Sequence, residues 1–301
     1  MAEALEKLLA LLDIKEIEKN VYLGLSEDLG FRNLFGGQVL GQALIAAGRT
    51  VQSDRLPHSL HGYFIRPGNS EDPLYYEVDL IRSGRSFSTR RVVAKQNGLA
   101  IFSMSASFQT PEPGLEHQAR MPLVPGPEGL ESEEDRARAV KDKIPEKSRE
   151  AFTRNRPIEF REINPMNPFK PVPAPAVKQI WIKTAGDLPD DPLLHRALLA
   201  YTSDFGLAGT SLLPHGYSLM QGNIQMASLD HAMWFHRDFH FDKWLLYTTE
   251  SSVSYGARGF NQGKIFTRDG VLVVSVAQEG LMRKIEKRPK TGDERGTETK
   301  A

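Results

Sequence analysis

Apolar residues in Val39–Gly48 (VLGQALIAAG) recur at helical spacing, after which the chain passes into β-rich segments that alternate apolar and polar positions. Four strands are predicted there: Leu60–Arg66, Leu74–Arg82, Ser86–Lys95 and Ala100–Gln109. Asn97-Gly98, between the last two, favours the φ > 0 geometry of a tight hairpin. The same grammar returns in the second half. A helix is predicted at Pro192–Ser203, then strands at Ser228–His236, Trp244–Val253, Ala257–Thr267 and Val271–Gly280, with Asp269-Gly270 at the final turn. Ile158–Ile163 and Gln179–Lys183 read as strands that open this second unit. At the N-terminus, Leu5, Leu8, Leu9 and Leu12 share one helical face, so an amphipathic helix should dock there on the core.

Placing Asn97-Gly98 over Asp269-Gly270 lays Ala100–Met104 over Leu272–Val276 and Ala106 over Gln278. The pattern is an internal duplication of α+β units, each a long helix wrapped by a curved antiparallel sheet, with the two sheets joined edge to edge. The boundaries that follow are a first repeat over 1–110, a proline-rich connection over 111–156 with a surface helix at Ser132–Thr153, a second repeat over 157–283, and a tail over 284–301. That tail is charged, nearly free of large apolar groups and expected to be disordered.

Composition narrows the chemistry. Lys plus Arg and Asp plus Glu are both 38, so there is no basic field for a phosphate backbone and nucleic acid is not an expected partner. The chain has no cysteine, which excludes disulfides and thiolate chemistry and suits a reducing, cytoplasmic setting. No stretch approaches the roughly 20 apolar residues of a membrane span, so membrane insertion is not expected. Gly-x-Ser-x-Gly, His-Glu-x-x-His and the phosphate-binding glycine motifs are all absent. His236 and His240 lack the further ligands of a metal site, and neither metal nor cofactor is expected.

Polar residues at apolar positions are the remaining signal. Gln278 shares a strand face with Leu272, Val274 and Val276, so its amide should be carried into an apolar environment where it must find partners. Asp204 closes the second helix just before Gly206. A carboxylate there sits at the negative end of the helix dipole, which suits a proton acceptor, although an ordinary solvated helix end has the same sequence. Ser228 opens a predicted strand, where serine also serves as plain turn chemistry.

Longer stretches join these positions. Phe35–Ala43 (FGGQVLGQA), His58–Gly68 (HSLHGYFIRPG), Gly84–Val92 (GRSFSTRRV), Phe102–Gln109 (FSMSASFQ), Ser228–Arg237 (SLDHAMWFHR), Trp244–Tyr247 (WLLY), Ala257–Phe260 (ARGF) and Asp269–Arg283 (DGVLVVSVAQEGLMR) together resemble the bacterial type II acyl-CoA thioesterase family. The resemblance implies a double-hotdog fold, a catalytic trio of Asp204, Ser228 and Gln278, and hydrolysis of medium to long chain fatty acyl-CoA. Many members carry threonine where Ser228 stands. It also implies homodimers or homotetramers. Gly36 and Gly37 are candidates for backbone donors to an oxyanion, while His58, Arg85 and Arg90 are candidates for contact with CoA. For each of the latter three, solvation or pairing within the protein is the leading expectation. For Asp230 and His231 a buried Asp–His hydrogen bond is the leading expectation. Two other functions fit the fold: a hotdog hydratase or dehydratase, which needs a His/Asp pair, and an acyl-CoA-binding protein without catalysis.

Overall fold

A computed structural model describes residues 2–30, 33–144, 146, 149 and 153–285 of the chain. Its helices are α1 (Ala2–Leu12), α2 (Gly36–Gly48), α3 (Glu133–Ala139) and α4 (Pro192–Ser203). Its strands are β1 (Lys15–Glu18), β2 (Val21–Gly24), β3 (Leu56–Phe64), β4 (Leu74–Ser83), β5 (Phe87–Gln96), β6 (Leu99–Gln109), β7 (Ile158–Glu162), β8 (Val177–Thr184), β9 (Ile224–Ser228), β10 (Asp230–Phe235), β11 (Leu245–Tyr255), β12 (Arg258–Thr267) and β13 (Leu272–Lys284).

All thirteen strands lie in one antiparallel sheet. Along it, β3-β6-β5-β4-β2-β1 in one half mirrors β10-β13-β12-β11-β8-β7 in the other, and β9 adds to β13. The halves meet where β3 pairs with β10, from Tyr63 opposite Asp230 to Ser59 opposite Trp234. Joining there removes one exposed edge from each half. This is the double-hotdog arrangement, and the sheet is left open.

The sheet wraps a helix pair. All residues of α2 from Gly37 to Ala47 are buried, including Gln38 and Gln42, and α4 is buried from His195 to Ser203. The two helices run antiparallel at close range, because glycines face the partner backbone: a Cβ on Gly41 would stand 3.0 Å from Ala197 O, and one on Gly37 would collide with Tyr201 O. Local chemistry sets the ends of α4. The Asp191 carboxylate accepts from Leu193 N (2.9 Å) and Leu194 N (3.2 Å), and Pro192 fills the first turn. Asp204 is the C-terminal cap residue and Gly206 follows at φ 73°, a conformation that favours glycine. The N-terminal helix docks as expected, with Leu5, Leu8 and Leu12 buried.

Several boundaries differ from the sequence reading. The segment predicted as Ser228–His236 is two strands, with Ser228 ending β9 rather than opening β10 and Leu229 between them. Lys284 belongs to β13 and not to a tail, while 286–301 lie outside the described residues. The linker helix expected over Ser132–Thr153 is interrupted: α3 ends at Ala139, a 3-10 turn spans Lys141–Lys143, the described residues 146, 149 and 153 are again helical, and 145, 147, 148 and 150–152 lie outside the described residues. β1 and β2 were not anticipated, since β1 (KEIE) is exposed throughout and carries no alternation to read. The linker itself packs on the outer face of the second half, where Met121, Val124 and Leu130 cover Trp181, Leu246 and Phe266. Trp181 Nε1 donates to Pro125 O at 2.8 Å.

Candidate active site

Asp204, Ser228 and Gln278 lie 24 to 74 residues apart in sequence and converge on one carboxylate oxygen. The end of α4 supplies Asp204, whose side chain is only 5% exposed. From the last residue of β9, the Ser228 hydroxyl donates to Asp204 Oδ1 at 3.1 Å. From β13, Gln278 Nε2 donates to the same oxygen at 2.6 Å. The β9–β13 register puts Ser228 opposite Gly280, two residues along the strand from Gln278, which aligns both donors on the helix end.

Gln278 is fully buried, as its alternation with Val274 and Val276 predicts. Its Nε2 also lies 3.1 Å from His231 Nδ1, so both amide protons have acceptors. Gln278 Oε1 is buried and has no partner among the described residues. A buried carbonyl of this kind calls for a donor.

The expected Asp230–His231 hydrogen bond is absent. Asp230 Oδ1 instead accepts from Glu279 N at 2.6 Å, because alternation along β10 turns the two side chains to opposite faces. His231 turns inward with Met233 and Phe235, and is fully buried. Burial pushes its imidazole below the ordinary value, against the opposing pull of Asp204 and Asp230. Its Nε2 lies 2.9 Å from Ser203 Oγ. Tyr247, held protonated by burial, donates to Ser203 O at 3.0 Å and ties the end of α4 to β11.

The other half of the molecule completes the surroundings of Asp204. A Cβ on Gly36 would stand 2.8 Å from Asp204 Oδ2 and equally near the Phe64 ring, so the N-terminus of α2 abuts the carboxylate closely. The positive end of one helix dipole thereby faces a group placed at the negative end of another. Aromatic rings crowd the same place: Phe35 packs on Phe205 (centroids 4.1 Å apart) and Tyr201 (5.2 Å), and Phe64 on Phe102 (5.0 Å).

His58, Arg85 and Arg90 are not brought to this point. His58 Nε2 pairs with Ser107 Oγ at 2.8 Å, and its ring meets Phe87. Arg85 is exposed in the turn between β4 and β5. Arg90 is buried at the far end of α2, roughly 20 Å of helix away. There it donates to Thr50 Oγ1 and O, Arg82 O, Thr89 O and Ser83 Oγ.

Two polar side chains to which the sequence assigns no functional role also face inward. His231, expected only in a structural Asp–His bond, is one. Asn261, fully buried, lies directly across the β12–β13 ladder from Gln278, with Nδ2 3.2 Å from Gly259 O and Oδ1 unpartnered among the described residues. For His231 strand alternation with Met233 and Phe235 was the available signal, whereas Asn261 stands between Gly259 and Gly263 and no apolar alternation marks it.

Comparison with known proteins places this geometry. The acyl-CoA thioesterase family profile matches residues 147–281, and the profile for the acyl-CoA thioesterase N-terminal domain matches residues 27–109. Acyl-CoA thioesterase 2 of Haemophilus influenzae is 42% identical over 283 residues, covering 94% of this chain and 99% of that protein. The chain belongs to the type II acyl-CoA thioesterase family. Mouse acyl-coenzyme A thioesterase 8 is also 42% identical, over 84% of this chain and 81% of its own. The crystal structure of the acyl-CoA thioesterase II TesB2 from Mycobacterium marinum superposes with a TM-score of 0.76 at 41% identity, covering 92% of this chain and 98% of that one. A hot dog fold protein of unknown function from Alicyclobacillus acidocaldarius, 17% identical with a TM-score of 0.73 over 92% of this chain and 98% of its own, shares the fold. Among the described residues of this family member, no helix is long and apolar enough to cross a membrane.

Proposed function

We propose that Asp204, Ser228 and Gln278 activate the water with which this chain hydrolyses acyl-CoA thioesters to free fatty acid and CoA. Acyl-CoA thioester hydrolysis follows from family membership along nearly the whole chain. The assignment of residues rests on one observation: a buried carboxylate oxygen receives both the Ser228 hydroxyl and the Gln278 amide, while Gln278 Oε1 is left over as an acceptor.

The groups left for a ligand at this point are acceptors. They are the Asp204 carboxylate, the lone pairs of Ser228 Oγ and Gln278 Oε1. A water donates two protons, so held by two of these acceptors it keeps an oxygen lone pair for the thioester carbon. Asp204 takes the water's proton as the C–O bond forms. Collapse of the tetrahedral intermediate then breaks the C–S bond, and the CoA thiolate leaves and takes up the proton held by Asp204, which restores the carboxylate. No acyl-enzyme is needed. Gly36, beside Asp204, and Gly37 open α2 ahead of Gln38, whose N–H bonds Phe35 O, and as first-turn residues they have no carbonyl a turn earlier in the helix to accept from their own N–H groups, which suit the developing oxyanion. The rings of Phe35, Phe64 and Phe205 suit an apolar acyl chain, and a chain of medium to long length is the expectation.

The hydratase reading is less well supported. Its proton-transfer histidine would have to be His231, which is fully buried, with both ring nitrogens engaged by Gln278 and Ser203. Asp204→Asn is expected to lower kcat for thiol release by roughly 10²–10⁴-fold with little change in melting temperature. Turnover at the native rate would remove Asp204 from the mechanism, and saturable acyl-CoA binding without thiol release by the native chain would favour the non-catalytic alternative. The protein is further expected to work in the cytoplasm and to assemble as a homodimer or homotetramer, so elution as a monomer in size-exclusion chromatography would contradict that assembly.

A further inference from the structure

His231 makes no contact with the Asp204 carboxylate that counts as a hydrogen bond, standing 3.9 Å from it, yet it closes a chain of donors that begins there. Asp204 Oδ1 accepts from Gln278, so the amide nitrogen must occupy that position. Its second proton then points to His231 Nδ1 at 3.1 Å, which requires a lone pair on Nδ1 and hence the proton on Nε2. Nε2 donates to Ser203 Oγ at 2.9 Å, and Ser203 Oγ spends its own proton on Ala200 O at 2.9 Å. Every link has one direction, and the last acceptor is a helix carbonyl.

The other amide orientation is disfavoured from both sides. Rotated by half a turn, Gln278 would set its carbonyl oxygen against a carboxylate oxygen and an imine nitrogen, all acceptors. Asp204 can enforce this only while it is a carboxylate. Once it has taken the water's proton, its preference for the amide nitrogen weakens, and a neutral His231 still accepts. Burial keeps that ring neutral, and the groups that face it from the surrounding elements are Asp204 and Ser203 from α4, Gln278 from β13, and Gly62, with no side chain, opposite it on β3, while Asp230, the preceding residue on its own strand, points to the other face and acts on it through its charge alone.

We propose that His231 is a positioning residue whose Nδ1 holds the Gln278 amide in one orientation, nitrogen toward Asp204 and Oε1 toward the water, throughout turnover. This rests on the trio reading above. The ring touches neither water nor substrate and acts only through Gln278.

The test uses the full-length chain in a thiol-release assay, with kcat, KM and melting temperature measured for His231→Leu, His231→Gln and His231→Asn beside Asp204→Asn. His231→Leu removes the acceptor and should lower kcat by roughly 10–100-fold while KM stays within about twofold. The Gln side chain reaches the Nε2 position toward Ser203 and should be as slow as Leu. Asn sets a non-titrating acceptor near the Nδ1 position and should recover kcat to within about threefold of native. In a Gln278→Ala background, His231→Leu should cause no further loss. A His231→Leu kcat within about twofold of native, or a His231→Asn protein that melts normally but is as slow as His231→Leu, overturns the proposal. So does an Nδ1–H tautomer in the imidazole 15N spectrum of the native protein, a measurement that needs no variant to fold. Slow Asp204→Asn with normal His231→Leu defeats this inference alone, whereas native-rate Asp204→Asn defeats the trio and this inference with it.

Discussion

The two halves of the sheet carry the same framework with opposite chemistry at equivalent places. Gln278 on β13 corresponds to Ala106 on β6, and directly across the ladder from them stand Asn261 on β12 and Arg90 on β5. The helix ends differ in the same sense: the C-terminal cap residue is Asp204 on α4 but Arg49 on α2. In the first half, cations meet the carbonyl end of a helix. Arg90 donates to Thr50 O, and Arg49 bonds Ile14 O and Asp13, all of which suits the dipole. In the second half, an anion sits at such an end, stabilised by two side-chain donors and by the approach of α2. Equivalent positions thus differ: in one half cations lie at a helix end, and in the other a buried carboxylate lies beside an amide oxygen with no partner among the described residues.

Three experiments would break or sharpen that contrast. The largest effect is expected from Gly36→Ala, which brings the contribution of the first half to the second half's site into question. Its new Cβ would stand 2.8 Å from Asp204 Oδ2, so the carboxylate must shift, and kcat should fall by roughly 10–100-fold with the melting temperature changed by only a few degrees. A native rate would mean that α2 does not constrain Asp204.

Arg90→Leu should do the reverse. Losing the buried guanidinium strands several carbonyl oxygens, and urea unfolding should report a loss of about 2–4 kcal/mol, with kcat and KM nearly native. A raised KM at unaltered stability would instead return Arg90 to the CoA-binding role considered from the sequence.

The smallest effect concerns pH. Burial holds His58, His195, His231 and His236 below the ordinary imidazole value of 6.5, so between the folded value and 6.5 the unfolded chain binds more protons than the folded one. Stability should therefore be full above about pH 6.5 and fall as the pH drops below it. His231→Asn should lessen that fall in melting curves recorded from pH 7.5 to 5.5, and an equally steep fall would mean that His231 does not contribute to it.

Element order, hairpins and the helix limits of α4 were legible in the chain because each depends on neighbours: alternation for strands, Asp191-Pro192 for a helix start, Gly206 for its end. Asn97 and Gly98 both take positive φ, as their turn demands, while at the second hairpin only Gly270 does. Inward burial of Gln278 was equally local, set by the two-residue period of β13. What could not be read locally was partnership. The division at Leu229 follows from β9 pairing with β13 while β10 bridges β13 and β3, a choice made between distant strands. Arg90 looks in sequence like any strand arginine, and only the nearby end of α2 makes it an internal cap.

By itself, then, the sequence determined the order of the main helices and strands, the hairpin turns, the limits of α4 and the inward burial of Gln278, since periodicity and turn chemistry act within a few residues. Only tertiary structure decided that Asp204, Ser228 and Gln278 share one oxygen, that His231 leans on the amide rather than on Asp230, and that the first half's Gly36 presses against the second half's carboxylate. Such contacts join residues tens to well over a hundred positions apart. They arise from the register of the joined sheet and the packing of two antiparallel helices, and no local pattern carries that information.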